Sequence, residues 1–350
     1  MKYTNVLRIQ TVISPAALQK EFPISTQSYE AVRKARTTIK NILQGQDKRF
    51  LIIAGPCSVH DERAIIEYAE KLRCAQDEFA DKFFFVLRLY FEKPRTLLGW
   101  RGLIVEPDFD GVINIERGLK IARTITGEIV TSGLPVATEF LDPIVPQYLS
   151  DLISWAAVGA RTAESQIHRE LASGLPMPVG FKNATDGELT SSINAIISAR
   201  EPHGFLGIND AGVSAIIHTS GNDAVHLVLR GSENGVNYKA QTIKNAVRLL
   251  RAHHLNEGLL VDCSHGNSGK KAVQQISVFR SVLASRANRH FHERKAIRGV
   301  MLESFLKTGN CSVERWQQAE NYGLSITDEC LGWEETVNML REQYKHFILE

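Results

Sequence analysis

Cysteine is scarce in this chain: 350 residues hold five, Cys57, Cys74, Cys263, Cys311 and Cys330. Their number is odd and none are spaced as CxxC, which excludes a disulfide-stapled scaffold and a zinc ribbon and favours a reduced compartment. Long hydrophobic runs are missing too, and nothing approaches the ~20 apolar residues of a membrane span. The opening stretch, Met1-Lys-Tyr-Thr-Asn-Val-Leu-Arg8, has no apolar secretory core, so a cytoplasmic location is expected. Neither sign of charge dominates: 41 Lys and Arg face 39 Asp and Glu, a net charge of +2. A nucleic-acid or membrane-surface binder would concentrate a basic stripe, so neither partner is expected. There is no internal repeat and no low-complexity segment. The remainder, 43% apolar and 23% charged, is ordinary for a globular enzyme.

What the sequence does have is a rhythm. Eight short apolar runs each end on a reactive or charged side chain. Phe50-Leu-Ile-Ile-Ala-Gly55 leads into Cys57, Phe83 to Leu87 stops at Arg88, and Leu134 to Thr138 stops at Glu139. Ala157 to Ala160 stops at Arg161, Pro178 to Phe181 at Lys182, and His226 to Leu229 at Arg230. Leu259 to Val261 runs into Asp262 and His265, and Gly299 to Leu302 stops at Glu303. Near-continuous apolar runs mark parallel strands covered on both faces. Eight of them with helical stretches between predict an α/β protein, a (β/α)8 TIM barrel whose catalytic groups come from the C-terminal strand ends.

The connecting segments read as amphipathic helices. Ile65, Tyr68, Ala69 and Leu72 share one face; so do Leu189, Ile193, Ile196 and Ile197, and Ile243, Val247 and Leu250. Asp61, Asp186 and Ser268 stand where helix caps are expected. Residues 1–48 carry no strand of the ring and read as an N-terminal extension for subunit contact or regulation; the barrel occupies 49–350. One segment breaks the rhythm before the sixth strand. Phe205 to His218 holds two β-rich pieces around Asn209-Asp-Ala-Gly212, which predicts an inserted hairpin at about 203–221.

Two constellations carry chemistry. Cys57, His265 and Glu303 end strands one, seven and eight, which ring closure makes neighbours, and Asp328 follows in the last loop. A thiolate, an imidazole and two carboxylates suit a first-row divalent ion, Mn, Fe, Co or Zn, rather than Mg or Ca. The competing reading makes Cys57 a buried small hydrophobe, His265 a cap and Glu303 an ion-pair partner. Arg88, Arg161, Lys182 and Arg230 converge on the same face, and cations gathered without a ligand repel one another, so an anion such as a phosphorylated substrate should fill the site. Taken singly, each could pair with a nearby acid. Lys93, Arg95 and Thr96 offer further phosphate donors around Pro94. Gly266-Asn-Ser-Gly-Lys-Lys271 resembles a P-loop but is two residues too short. Trp100, Trp155 and Trp333 read as core.

These residues lie in strings that resemble one family. Gly55-Pro-Cys-Ser58, Tyr90-Phe-Glu-Lys-Pro-Arg-Thr96, Gly159-Ala-Arg-Thr162, Gly180-Phe-Lys-Asn183, Asp262-Cys-Ser-His-Gly-Asn-Ser268 and Ser325-Ile-Thr-Asp328 are similar to the type I, microbial, feedback-regulated 3-deoxy-D-arabino-heptulosonate 7-phosphate (DAHP) synthases. The resemblance spans essentially the whole chain. It implies a transferase condensing phosphoenolpyruvate with erythrose 4-phosphate, the entry step of the shikimate pathway. It implies one divalent metal, manganese first, on Cys57, His265, Glu303 and Asp328. Arg88, Arg161, Lys182 and Arg230 would hold phosphoenolpyruvate, with Arg101 also at the substrates. Lys93 would stand between the two substrates, and Arg95 and Thr96 would hold the aldose phosphate. Lys93 and Glu139 are the expected proton-handling residues, beside Cys57 and His265.

The same resemblance implies an aromatic effector, tyrosine favoured, in a site lined by Pro146, Gln147, Phe205, Gly207 and Ile217, and a homodimer or homotetramer. Cys330 is expected to approach Cys57 and make the site sensitive to oxidation. The chain departs from the family at Ala163, Ala184, Arg101 and Ser232. Ala184 and Ser232 add Cβ atoms where the backbone is expected to favour glycine.

Overall fold

The computed structural model describes residues 5–95 and 97–349. Among the described residues there are ten strands: β1 Phe50–Gly55, β2 Phe83–Arg88, β3 Val136–Glu139, β4 Trp155–Val158, β5 Val179–Lys182, β6 Gly204–Ile208, β7 Ser214–His218, β8 Val225–Leu229, β9 Leu259–Asp262 and β10 Ile297–Glu303. Eight close a parallel barrel in the order β1-β10-β9-β8-β5-β4-β3-β2, while β6 and β7 form a separate antiparallel pair. The expected TIM barrel and its inserted hairpin are both there. Helices α1 Pro15–Glu21 and α2 Thr26–Gln44 precede the ring. Between and after its strands come α3 Glu62–Phe79, α4 Ile115–Thr131, α5 Val145–Leu149, α6 Gln166–Gly174, α7 Thr190–Ala199, α8 Ala240–Ala252, α9 His265–Ser268, α10 Gln274–Ala287 and α11 Trp333–His346.

Side chains alternate across each strand. One set, including Phe50, Ile52, Ala54, Phe85 and Leu87, packs outward against the helices. The other set, Leu51, Ile53, Val86, Ala137, Trp155, Ala157, Val228, Leu260 and Met301, packs together inside the ring. Small residues make room for the Trp155 ring: a Cβ on Gly180 would lie 2.5 Å from it. Ile39, Ile42 and Leu43 of α2 join this inner cluster and so close the N-terminal end of the barrel. The helix is cut to length for that task. Ser25 caps its start by accepting from the Ser28 amide, and Gly45 ends it in the left-handed region at φ 78°.

Several local expectations are corrected. The fourth strand begins at Trp155, two residues earlier than its apolar run, so Arg161 lies in the turn beyond it. Asp61 does cap α3, bonding the Ala64 amide at 3.0 Å. Asp186 instead bonds the Glu188 amide within a turn before α7, and Ser268 is the last residue of α9. Ile197 faces out at 36% exposure, since α7 is covered along a narrower stripe than its composition suggests. Among the described residues, no helix is long and apolar enough to cross a membrane.

Candidate active site

The inner face changes character at its C-terminal rim. Two residues beyond the inner apolar positions, the same alternation points Arg88, Glu139, Lys182, Asp262 and Glu303 into the ring, all buried. Arg88, Glu139 and Lys182 line the floor of a cleft of about 310 Å³, together with Lys93, Arg95, Arg161, Arg230, His265, Lys270 and Asp328; Glu303 and Asp262 lie beneath it, paired with Arg88 and Lys182.

One side of the floor is acidic. The ligand atoms of Cys57, Glu303 and Asp328 all lie within 4.8 Å of one another. Lys93 stands among them, donating from Nζ to Cys57 Sγ at 2.7 Å and lying 3.5 Å from Asp328 Oδ2. Its ammonium is an internal stand-in for a cation. Burial opposes that charge, but Cys57 and Asp328 outweigh it and hold Lys93 above the usual lysine range. Burial and Glu303 raise the Cys57 thiol. Burial would raise Glu303 as well, yet His265 and Arg88 keep its carboxyl below the ordinary value.

Glu303 is fixed from several directions. Arg88 donates to Oε1 at 2.9 Å and Ser264 to Oε2 at 2.6 Å, and the Gln275 amide grips the Glu303 backbone from both sides at 2.9 Å. Arg88 also donates to the carbonyls of Pro56 and Cys57 and lies 3.5 Å over the Tyr90 ring. The Arg88–Glu303 pair is 2% and 1% exposed; deleting one partner of such a pair costs about 3–5 kcal/mol. His265 stands beside the cluster rather than within it. Its Nε2 is 3.8 Å from Glu303 Oε1 and its Nδ1 2.9 Å from Asp262 Oδ2. It holds φ at +53°, a strained value for a residue with a Cβ.

The other side is basic. Lys182 donates to Asp262 Oδ2 at 3.0 Å. Burial alone would raise Asp262, but His265 and Lys182 hold it well below the usual carboxylate range. Arg88 and Lys182 thus have acid partners, as each taken singly could, while Arg161 lies exposed at the rim and Arg230 is half-buried. Arg230 is steadied through its amide, which donates to Asn183 Oδ1 at 2.8 Å. Arg95 donates to the Trp100 carbonyl at 2.7 Å, and Trp100 stacks on Phe109, as a core residue should. Arg101 is set apart, lining an adjoining pocket with Glu92, Lys93 and Arg95. Thr96 lies outside the described residues.

Glu139 enters the cleft beside Gly159, whose absent side chain makes the space: a Cβ there would lie 2.2 Å from Glu139 Oε1. Glu92 is buried behind the cleft, and burial, with Asp142 and Glu139 adding repulsion, pushes its carboxyl up to about 8 despite two backbone amides that bond it. Three residues had no assigned role in the sequence. Asp262 was visible only as a strand end, Gln275 looks like any helix glutamine, and Lys270 sits in the string set aside as a failed P-loop. The departures from the family strings are benign locally. Ala163 and Ala184 are buried, and neither Ala184 nor Ser232 has positive φ, so no glycine is needed at either position.

The five expected effector residues fall into two groups. Phe205 pairs across the hairpin with Ile217, and a Cβ on Gly207 would lie 2.9 Å from Ile217. Pro146 and Gln147 sit on α5. The N-terminal segment touches both groups: the Ala16 amide donates to Asp210 O at the hairpin tip, and Tyr148 of α5 donates to Ile13 O at 2.8 Å.

Comparison with known proteins places this geometry. The model of the DAHP synthetase I family matches residues 21–341. The Tyr-sensitive phospho-2-dehydro-3-deoxyheptonate aldolase of Escherichia coli (strain K12) is 46% identical over 333 residues, 95% of this chain and 92% of that protein. The Phe-sensitive enzyme of the same strain is 46% identical over 346 residues, 98% of this chain and 97% of that protein. The Trp-sensitive enzyme of Enterobacter agglomerans is also 46% identical, over 95% of this chain and 94% of that protein. The solved phospho-2-dehydro-3-deoxyheptonate aldolase of Francisella tularensis SCHU S4 matches with a TM-score of 0.93 at 42% identity, covering 97% of this chain and 98% of that one.

Proposed function

The chain belongs to the DAHP synthetase I family, and we propose that it condenses phosphoenolpyruvate with erythrose 4-phosphate and water to give DAHP and inorganic phosphate, the first step of aromatic amino acid synthesis. The observation that carries this reading is the two-sided floor of the cleft, with its carboxylate–thiol cluster next to converging cations. Two phosphorylated anions repel each other, and a cationic pocket offsets that repulsion while aligning them.

The donor set fits a first-row divalent ion, manganese before iron, cobalt or zinc. Cys57, Glu303 and Asp328 would hold it with His265 completing the set, and it would supply Lewis acidity toward the aldehyde oxygen. Arg161, Lys182 and Arg230 would bind phosphoenolpyruvate, with Arg88 beneath them. Arg95 and Thr96 would take the aldose phosphate, with Arg101 at the outer end. C3 of phosphoenolpyruvate attacks the aldehyde carbon, and Lys93 donates a proton to the oxygen that becomes a hydroxyl. Water adds at C2, oriented or deprotonated by Glu139, and the hemiketal phosphate collapses to the ketone with release of phosphate.

Regulation by an aromatic amino acid, tyrosine first, would act at Pro146, Gln147, Phe205, Gly207 and Ile217. Relatives of three sensitivities stand at the same identity, so titrating activity with each amino acid decides the effector. Leu206 and Ile216, paired on the outer face of the hairpin and 79% and 70% exposed, are surface that a second copy would cover; light scattering should give a dimer or tetramer.

The test is phosphate release from phosphoenolpyruvate by reduced, manganese-loaded protein. Release that needs erythrose 4-phosphate and stops on adding EDTA supports the reading. Release with arabinose 5-phosphate instead, or with neither sugar, overturns it.

A further inference from the structure

Glu92 lies between Phe91 and Lys93 and is only 6% exposed. Its two oxygens are used separately: Oε2 accepts from the Leu141 amide and Oε1 from the Asp142 amide, each at 3.2 Å. A carboxylate presents two acceptors at a fixed separation, which matches two consecutive amides in a turn. That turn is held from a third side. His168 on α6 bonds the Leu141 carbonyl through Nε2 at 2.8 Å, and its Nδ1 lies 2.9 Å from Ser165 Oγ at the start of α6. Arg169 on the same helix donates to Ala163 O at 2.8 Å and so secures the loop that carries Arg161. The Lys93 amide in turn donates to Arg101 O.

We infer that Glu92 is a positioning residue: together with His168 it braces the turn at Leu141 and Asp142, and so fixes the spacing between the loop carrying Lys93 and Arg95 and the loop carrying Arg161. The proposed reaction has to hold two phosphorylated molecules at bonding distance, and these two loops carry cations for its opposite ends. Burial and the neighbouring acids Asp142 and Glu139 work against its charge, while the two backbone amides that bond its two oxygens favour the ionised form. Both oxygens are occupied by backbone, so it serves geometry. The inference rests on the proposed reaction for the identity of the substrates, but the brace itself does not.

The experiment compares Glu92→Gln, which keeps one acceptor, Glu92→Leu, which keeps neither, His168→Leu, and the double variant Glu92→Leu/His168→Leu. Hydrogen exchange of the Leu141 and Asp142 amides reads the brace without turnover, and should quicken about tenfold or more in Glu92→Leu and less in Glu92→Gln. Steady-state kinetics read the consequence. KM for erythrose 4-phosphate should rise about tenfold with a fall in kcat, while the melting temperature and manganese affinity stay near wild type. Because both residues act on one turn, the double variant should lose no more kcat/KM than about the worse single one. Unchanged exchange in Glu92→Leu, unchanged kinetics in both Glu92 variants, or single losses that multiply would each overturn the inference. If the wild type makes no DAHP, the proposed reaction fails and the exchange arm alone decides the brace.

Discussion

Acid should weaken this barrel through a histidine remote from its chemistry. His226 is 1% exposed on the inner face of β8. Its Nε2 accepts from Trp155 Nε1 at 3.1 Å and its Nδ1 donates to Ala224 O at 3.2 Å, so the neutral ring is fully satisfied. A second proton would have to go on Nε2, against an N–H and inside an apolar cluster. Burial accordingly lowers His226 from 6.5 to about 4, the Ala224 bond opposing only in part. The unfolded chain takes up a proton near pH 6.5 that the folded chain refuses until about pH 4. Stability is therefore complete above the unfolded value and drains away as pH falls through that window. The gap of about 2.5 pH units corresponds to roughly 3.4 kcal/mol in full, of which about 2 kcal/mol is already lost at pH 5. His226→Gln retains an acceptor for Trp155 and cannot titrate. Urea unfolding at pH 8 and pH 5 should show wild type losing about 2 kcal/mol more than the variant. His60, also lowered to about 4 by burial, titrates in both proteins and cancels. Equal losses in the two would refute the reasoning.

The cleft supplies further tests. Gly159→Ala puts a Cβ 2.2 Å from Glu139 Oε1 at ordinary φ; displacing that carboxylate should cut kcat about 100-fold with little change in melting temperature, and an active variant would remove Glu139 from the chemistry. Lys93→Met should lower kcat by about 10² to 10⁴, yet bind manganese at least as tightly, because the ammonium now competes for Cys57; weaker binding by paramagnetic resonance would contradict the competition. The Cys57 amide donates to Cys330 Sγ at 3.3 Å. Cys330→Ser should therefore keep its activity and outlast wild type under diamide, which thiol reductant then revives in wild type; equal decay of the two would dismiss the oxidation path.

The ring was legible because covered parallel strands leave a plain record: eight apolar runs, each closing on a polar residue. The same period of two that hides Val86 and Ala137 in the core exposes Arg88 and Glu139 to the cleft, so strand ends and site residues were read together. Lys270 escaped for a different reason. It sits in a loop, where no period links sequence position to direction, and it reaches the cleft through a backbone turn at φ +61°. The fourth strand was misplaced by two residues because Trp155 reads as a core aromatic in any element. The loop partners of Glu92 are backbone amides, which carry no sequence signature at all.

The arrangement also accounts for how so many charges can be buried in one place. Acids and cations alternate around the rim, with Arg88 on Glu303, Lys182 on Asp262, and Lys93 between Cys57 and Asp328. Buried charges are costly unless paired and hydrogen-bonded, and each of these is both. Lys93 differs from the other two cations because its partners are the expected ligands of an exchangeable ion. Were such an ion to take those partners, the ammonium would have to turn elsewhere, and the cleft is directly adjacent. The pairing of Lys93 is thus one that ion binding would undo, which would set the proposed proton donor free only once the cluster is filled.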